Sequence, residues 1–456
     1  MKKRLTYLGI TAFIFIYFIS CVDNNDFKPE IIKDSDFSID VVSNTSQLTS
    51  RIVQVNEPIE TVDFNGASSN KAADSNKAAD DNEKYFWELI VEMPVLIHNS
   101  EELSATHINI IGDYGYISYH SQGEKHIGAF EIIDLSTKAE PRVVSRATFD
   151  DVDINFFAID ENSNPGSRKI WLAGSRNVDG AVVIEISSNN GIIQGNSKLV
   201  SLKNVFEDGI AASANSICFT NNNLYVTAGM TIGGLVQLQA SDLAYVAHDP
   251  FPYAKFVISG NDNQSISSVI TLSIGEESKL RVHKLDLNES AEVIDLGGIV
   301  HNNVSNIYSG KYSMAWANEN DLIYVTTASE GLKAVNIQSG DIVYSSVNNM
   351  LSTGNTNGVS VDDDYIYMAN GSDGLAFALL PNVSNPTITP IFTWDKSYEP
   401  ASANYVVSDN EFIFVAKGLG GVKLLRKTAY GTHDVVIDYD DNGVPLNVIK
   451  KDVCEG

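Results

Sequence analysis

Three stretches of the chain share one frame: an Asn, alternating apolar residues, a polar turn, an aromatic-centred strand and then a strand led by Gly. In each the Asn lies ten positions before the aromatic: Asn215 to Tyr225, Asn357 to Tyr367 and Asn404 to Phe414. Looser copies fill the intervals, and the composition is rich in Gly (32), Tyr (19) and Phe (19), as many short strands and tight turns require. The sequence therefore predicts an all-β fold, a seven-bladed β-propeller of four-stranded antiparallel blades. A four-stranded unit cannot bury both faces alone, and radial stacking leaves only short edges. A third observation concerns closure. Tyr85-Phe-Trp-Glu-Leu-Ile-Val-Glu reads as a strand before the first copy, while the last copy runs out near Lys427, so the N-terminal strand is expected to complete the seventh blade.

Residues 1–20 read as an export signal. Lys2, Lys3 and Arg4 precede an apolar run too short for a retained span. FISC, Phe18 to Cys21, resembles the bacterial lipobox, with Phe18 where Leu is usual. That resemblance implies cleavage before Cys21 and a lipid anchor on its thiol. The acidic cluster that follows, Val22-Asp-Asn-Asn-Asp26, is similar to surface-export signals of lipoproteins in the Bacteroidetes group. It implies outer-membrane attachment with display at the cell surface, a periplasm-facing position being the alternative.

Residues 21–84 are expected to be the acylated Cys and a flexible tether. SNKAAD occurs there twice in tandem, from Ser69 and from Ser75, and such a composition buries too little apolar surface to offset its ordering entropy. Ile39-Asp-Val-Val and Arg51-Ile-Val-Gln-Val leave a short strand or helix open. The propeller is expected over 85–429 and a C-terminal β-hairpin appendage over 430–456. Asp438-Tyr-Asp440-Asp-Asn442-Gly443 fits the first half of a calcium loop, but Ile449 stands where that loop needs a bidentate Glu; a hairpin with an Asn-Gly turn fits better.

Within the propeller, Tyr116, Trp171, Tyr225, Leu280, Tyr324, Tyr367 and Phe414 are taken as equivalent positions, 43 to 55 residues apart. The best-formed copy, GAFEIIDLSTKAEPRVVS from Gly128 to Ser145, resembles the LVIVD repeat of bacterial β-propellers. The resemblance implies the fold and an extracytoplasmic location, and no particular reaction.

The formal net charge of −27 excludes nucleic acid as a partner, since phosphate binding needs clustered Lys and Arg. The recurrent Asn is the main candidate for a site. In one frame, Thr106, Asn155, Asn215, Ser268, Ser313 (or Met314), Asn357 and Asn404 open the innermost strands and would ring one mouth of the central channel. Asn offers both donor and acceptor to a sugar, a peptide or a hydrated ion; the alternative is that each satisfies backbone between neighbouring blades. His120 and His126 flank Glu124 at a spacing that matches no zinc signature, and read as a solvated loop. Asp362-Asp363-Asp364 reads as a surface turn, and Cys218 and Cys454 as unpaired thiols. No nucleophile elbow, phosphate loop or paired metal motif is present, so no cofactor or metal is implied. The expected function is recognition of a glycan, peptide or protein partner at one propeller face, beside a membrane contact through the lipid on Cys21. The alternative is a propeller enzyme, a hydrolase or lyase acting on an extracellular polysaccharide.

Overall fold

Alternation of apolar residues on successive strands gives each sheet two faces to hide, and the chain hides them by stacking the sheets around an axis. The structure, a computed structural model, describes residues 30–32, 37–59, 62–63, 85–260, 268–275, 278–297, 311–317, 321–345, 355–380, 390–394, 401–439 and 445–455. Among them are seven antiparallel sheets, the blades of a β-propeller. The inner strands are Glu101–Ile111, Val152–Ile159, Ala214–Thr220, Ala254–Ser259, Met314–Trp316, Gly358–Val361 and Tyr405–Ser408, blades 1 to 7 in that order. Each neighbours the next, and the seventh neighbours the first. Seven apolar clusters result, one per seam: Phe130 and Ile132 meet Ile154 and Leu172 between blades 1 and 2, and Phe412 and Phe414 meet Ile108 and Ile117 between blades 7 and 1.

Two of the Gly residues that lead third strands, Gly128 and Gly180, belong to these seams. A Cβ on Gly128 would lie 2.5 Å from the Val152 carbonyl oxygen of blade 2, so the next inner strand can approach only where that carbon is missing. Gly180, at φ +66, sits 2.3 Å by the same measure from the Ala211 carbonyl, one seam on.

Closure follows the sequence. Tyr85–Met93 pairs antiparallel with the third strand of blade 7, from Val422↔Met93 to Ala429↔Tyr85, as its outer strand. That third strand runs without a break from Val422 to Tyr439 and pairs on with Pro445–Glu455. The hairpin expected over 430–456 has its first strand continuous with the third strand of blade 7, and beyond Ala429 its two strands pair with each other. Residues 440–444, which hold most of the half calcium loop, lie outside the described residues.

The segment expected to be a flexible tether needs correction over much of its length. Glu30–Ile32 adds a fifth strand to blade 2, Ile39–Val42 to blade 1, Val53–Pro58 to blade 7 and Val62–Asp63 to blade 6. The chain therefore enters as a belt that travels round the rim against the order of the blades. Short strands of low apolar content gain stability here because blade edges offer a ready row of unpaired N–H and C=O groups. Cys21, both SNKAAD repeats and the rest of 64–84 lie outside the described residues.

A buried ionic cluster fastens the belt. Arg51 lies across the Glu131 carboxylate of blade 1, Nε to Oε1 and Nη2 to Oε2 both at 3.0 Å, and donates from Nη1 to the Pro94 carbonyl at 2.6 Å. Arg146 Nε and the Tyr119 hydroxyl complete the shell of Glu131 at 2.8 Å each. Burial alone would raise the Glu131 pKa, but the two guanidiniums and the Tyr119 hydroxyl outweigh it and hold the carboxyl below its usual range. Removing one partner of a buried pair leaves a charge without compensation. Arg51→Ala is therefore expected to cost about 3 kcal/mol in urea unfolding and to expose residues 37–58 to proteinase K in the otherwise folded protein.

Candidate functional site

The inner strand of each blade begins at the axis, and there the pairing register slips. In blades 1 to 4 one residue is bulged out of the ladder with the second strand: Thr106, Asn155, Asn215 and Lys255. A bulge leaves its residue unpaired and re-aims its side chain. In blades 6 and 7, Asn357 and Asn404 stand one residue ahead of the first paired residues, Gly358 and Tyr405. In blade 5 the Ser313 carbonyl accepts from the Thr326 N–H, as Gly358 pairs with Ala369 in blade 6, which puts Tyr312 at the ring position. These seven side chains, with His120, Ser213 and Lys311, line a cavity of about 180 Å³ at one mouth of the channel.

The sequence frame thus brings together Thr106, Asn155, Asn215, Asn357 and Asn404, and misplaces two positions. Ser268 lies on the second strand of blade 4, paired with Lys284, and Lys255 holds its place. Ser313 is buried one residue too far along, its hydroxyl accepting from the Val359 N–H at 2.9 Å; Tyr312 holds its place. Both errors come from assuming the tight hairpin of the Asn215, Asn357 and Asn404 copies. In blade 4 a longer connection separates the first two strands, so Ile270, not Leu280, matches Tyr225, and Leu280 falls on the third strand.

The ring residues clasp one blade to the next. Thr106 Oγ1 donates to the Ile154 carbonyl at 3.0 Å, Asn155 Nδ2 to Ala214 at 3.0 Å, Asn215 Nδ2 to Ala254 at 2.7 Å and Asn357 Nδ2 to Ala403 at 3.0 Å. In every case the acceptor immediately precedes the ring residue of the following blade. The backbone-satisfying role expected of these Asn residues is therefore present at Asn155, Asn215 and Asn357.

Beneath the ring, the next residue of each inner strand fills the channel. His107 stacks on Phe156 with ring centroids 3.4 Å apart, and Phe156 meets Phe256 at 5.2 Å and Tyr405 at 5.9 Å. Blades 3, 5 and 6 contribute Ser216, Ser313 and Gly358 at this level. The aromatic floor went unread in the sequence, although Asn155-Phe156, Lys255-Phe256 and Asn404-Tyr405 repeat a polar–aromatic step that could have revealed it.

Two lysines enter this mouth. Burial lowers the pKa of both Lys255 and Lys311 to about 8. Burial, then the Lys311 charge, carries His120 down to about 3 and His107 well below its ordinary value, with the Asn155 hydrogen bond opposing the shift at His120. Lys311 of blade 5 thus reaches toward blade 1 across the channel, and both imidazoles are neutral. Burial also raises Tyr312 and Tyr405, so they stay phenolic. Among the described residues no carboxylate lines the cavity.

The other candidates separate. His120 ends a blade strand at the mouth instead of lying in a solvated loop, while His126 pairs with Asp153 at the blade 1–2 seam, Nδ1 to Oδ2 at 3.2 Å. Among the described residues no group of three or more His, Cys, Asp or Glu is gathered to hold a metal ion. Asp362 is buried at its turn, taking the Tyr367 hydroxyl at 2.6 Å and the Ser408 hydroxyl of blade 7 at 2.9 Å. Cys218 is a free, half-buried thiol whose pKa desolvation pushes up; Cys454 lies opposite Tyr430 in the C-terminal strand pair. A further cavity of about 220 Å³ lies off the axis between the belt and blade 7, where Glu92 neutralises Lys423 at 2.9 Å.

Neither protein-family models nor curated protein sequences match the chain. Among solved structures it is similar to the WD40 repeats of RRP9, at 10% identity and a TM-score of 0.49 over 73% of this chain and 96% of that one. It is similar also to a catalytically inactive virginiamycin B lyase from Staphylococcus aureus, at 10% identity and 0.46 over 75% and 99%. A third is Kuenenia stuttgartiensis hydrazine synthase, at 11% and 0.47 over 71% and 95%. At such identities the likeness concerns the fold, and the fold hosts unrelated functions.

Two outcomes follow from the mouth. Asn215→Ala removes hydrogen bonds to the Gly229 and Ala254 carbonyls and is expected to cost about 2 kcal/mol in urea unfolding. For Lys311 the folded pKa of about 8 lies below the unfolded value of about 10.4. Between these the unfolded state holds more protons, so its contribution to stability rises with pH. Lys311→Met should accordingly raise the melting temperature at pH 7, and that gain over the parent should shrink by pH 10.

Proposed function

We propose that this chain is a recognition module that binds its ligand at the channel mouth, and that it is an outer-membrane lipoprotein held by a lipid on Cys21 and displayed at the cell surface. The observation that carries the binding reading is the mouth itself: seven blades deliver amide, hydroxyl and ammonium groups over a closed aromatic floor. Such a cup, apolar at its base with convergent polar groups on its wall, suits a glycan, a peptide or a side chain of a protein partner. Support for the location comes from the sequence: the cationic start, the lipobox-like FISC, the acidic Asp23 to Asp26 and the likeness of Gly128 to Ser145 to LVIVD repeats.

A second reading, a hydrolase or lyase on an extracellular polysaccharide, draws on His120 and the two lysines of lowered pKa in the same mouth. Among the described residues the lining holds no carboxylate to work with them as acid or base. The binding reading is preferred for that reason.

A glycan array probed with the mature chain tests it. Ser213→Trp, which fills the mouth from its rim, should abolish array signal while leaving the melting temperature within about 2 °C. Signal that survives this substitution would move the ligand to another face, and products released from the spots would favour the enzyme. For the anchor, Cys21→Ala should end palmitate labelling and release the protein from the membrane fraction. Full protection from protease on whole cells would overturn surface display.

A further inference from the structure

Independently of what enters the cup, we infer that the face around it carries a docking surface for a protein, an extended segment with aliphatic side chains and a Lys or Arg at its outer end, laid over the seam between blades 2 and 3. Of the nine large apolar residues exposed among the described residues, Val178 (64%), Ile210 (46%) and Met230 (42%) come from three separate stretches and meet there. Val178 stands in the turn that joins Arg168–Arg176 to Gly180–Asn189, and Met230 in the corresponding turn of blade 3, between Asn223–Gly229 and Gly233–Gln239. Ile210 lies between them, in the link from blade 2 to blade 3. A Cβ on Gly180 would lie 2.7 Å from Ile210 Cγ2, and one on Gly209 would lie 2.9 Å from Ile232 Cδ1, so the stretch around Ile210 touches both turns. Ile232, half-buried, packs on the apolar cluster of this seam. At its inner end the track meets the mouth: the Gly229 N–H donates to the Ser213 carbonyl at 2.7 Å, and Asn215 Nδ2 to the Gly229 carbonyl at 2.9 Å. At its outer end stand Glu207 and Asp208, both exposed, and the Glu207 charge reaches His248 on Tyr245–Pro250, the outermost strand of blade 3.

Single exposed apolar residues are ordinary; several in one place mark an interaction site. The chemistry of the patch selects what it takes. Val, Ile and Met are aliphatic and give the C–H face of a sugar no aromatic ring to pack on, whereas Met adapts its shape to varied apolar side chains. A lipid surface is met by basic flanks and aromatic anchors, and this flank is acidic. A second copy would bring another net charge of −27 against the same face. A basic protein segment supplies both complements, aliphatic side chains for the patch and a cation for Glu207 and Asp208, and the acidic pair fixes the direction in which it lies. Nearby cations do not reverse this. Arg176 is held by Asp151 at 2.6 Å and Asp179 at 3.0 Å, and Lys203 Nζ donates to the Val178 carbonyl at 3.2 Å, while Lys255 and Lys311 line the mouth, at the other end of the track.

The test applies the mature chain, at about 1 μM, to an array of random-sequence peptides of about 12 residues, about 40 Å when extended. Bound peptides should be enriched in Leu, Ile, Val and Met, with Lys or Arg at one end. Val178→Asp and Met230→Asp should each lower their signal at least about tenfold, since a carboxylate would be pressed against aliphatic side chains, with melting temperatures within about 2 °C of the parent. Val293→Asp, at a position 53% exposed on the outermost strand of blade 4, should leave the signal unchanged. Glu207→Lys combined with Asp208→Lys should invert the preference, toward peptides that end in Asp or Glu.

No peptide bound above background would overturn the inference, as would a bound set without a basic end or a signal that survives both Val178→Asp and Met230→Asp. So would a dimer in sedimentation equilibrium at about 100 μM, or flotation with phosphatidylglycerol vesicles, that Met230→Asp abolishes: the first assigns the patch to a second copy and the second to a membrane. The mouth is decided separately, because a glycan-array signal removed by Ser213→Trp would stand whatever the peptides do.

Discussion

Everything in this molecule depends on the seam, the contact by which one blade hides a face that it cannot hide alone. Side chains alternate sides along each strand, so every sheet presents apolar residues to both neighbours, and seven clusters form between seven sheets. No single cluster is the core. The ring must close for any seam to be complete at both ends, and it closes through Tyr85–Met93, a strand drawn from the opposite end of the propeller sequence. Gly128 and Gly180 at the start of third strands and polar clasps at the start of inner strands serve the same contact from its two sides, one by permitting approach and one by fixing it.

The mouth is a by-product of this construction that has been given its own chemistry. Clasping the next blade needs a donor at each inner-strand start, and Thr or Asn suffices there. Blades 4 and 5 depart from that economy with Lys255, Lys311 and Tyr312. Aromatic residues at the level below, supplied by blades 1, 2, 4 and 7 where the others have Ser or Gly, turn an open channel into a cup. Departures from a repeat at corresponding positions mark where the shared requirement of folding ends.

The fold was legible because a period survives substitution. Asn215, Asn357 and Asn404 kept their distance to Tyr225, Tyr367 and Phe414, and the ring followed from counting. Counting failed where a loop changed length: the interval from Lys255 to Ile270 is longer than from Asn215 to Tyr225, so Ser268 was drawn into a place that belonged to another strand. The lysines were illegible for a different reason. Nothing in a sequence says that Lys255 and Lys311, from different blades, share one cavity with His120. The belt escaped because its strands are short and polar, and owe their shape to the edges they meet; Arg51 declares itself only beside Glu131.

The belt also sets how such a molecule would stand on a membrane. If Cys21 carries the lipid, the chain reaches the rim of blade 2 at Glu30, and the eight residues between them extend to about 30 Å at most. The propeller would then be held within that distance of the lipid headgroups, by a point on the rim of blade 2 rather than by the channel mouth.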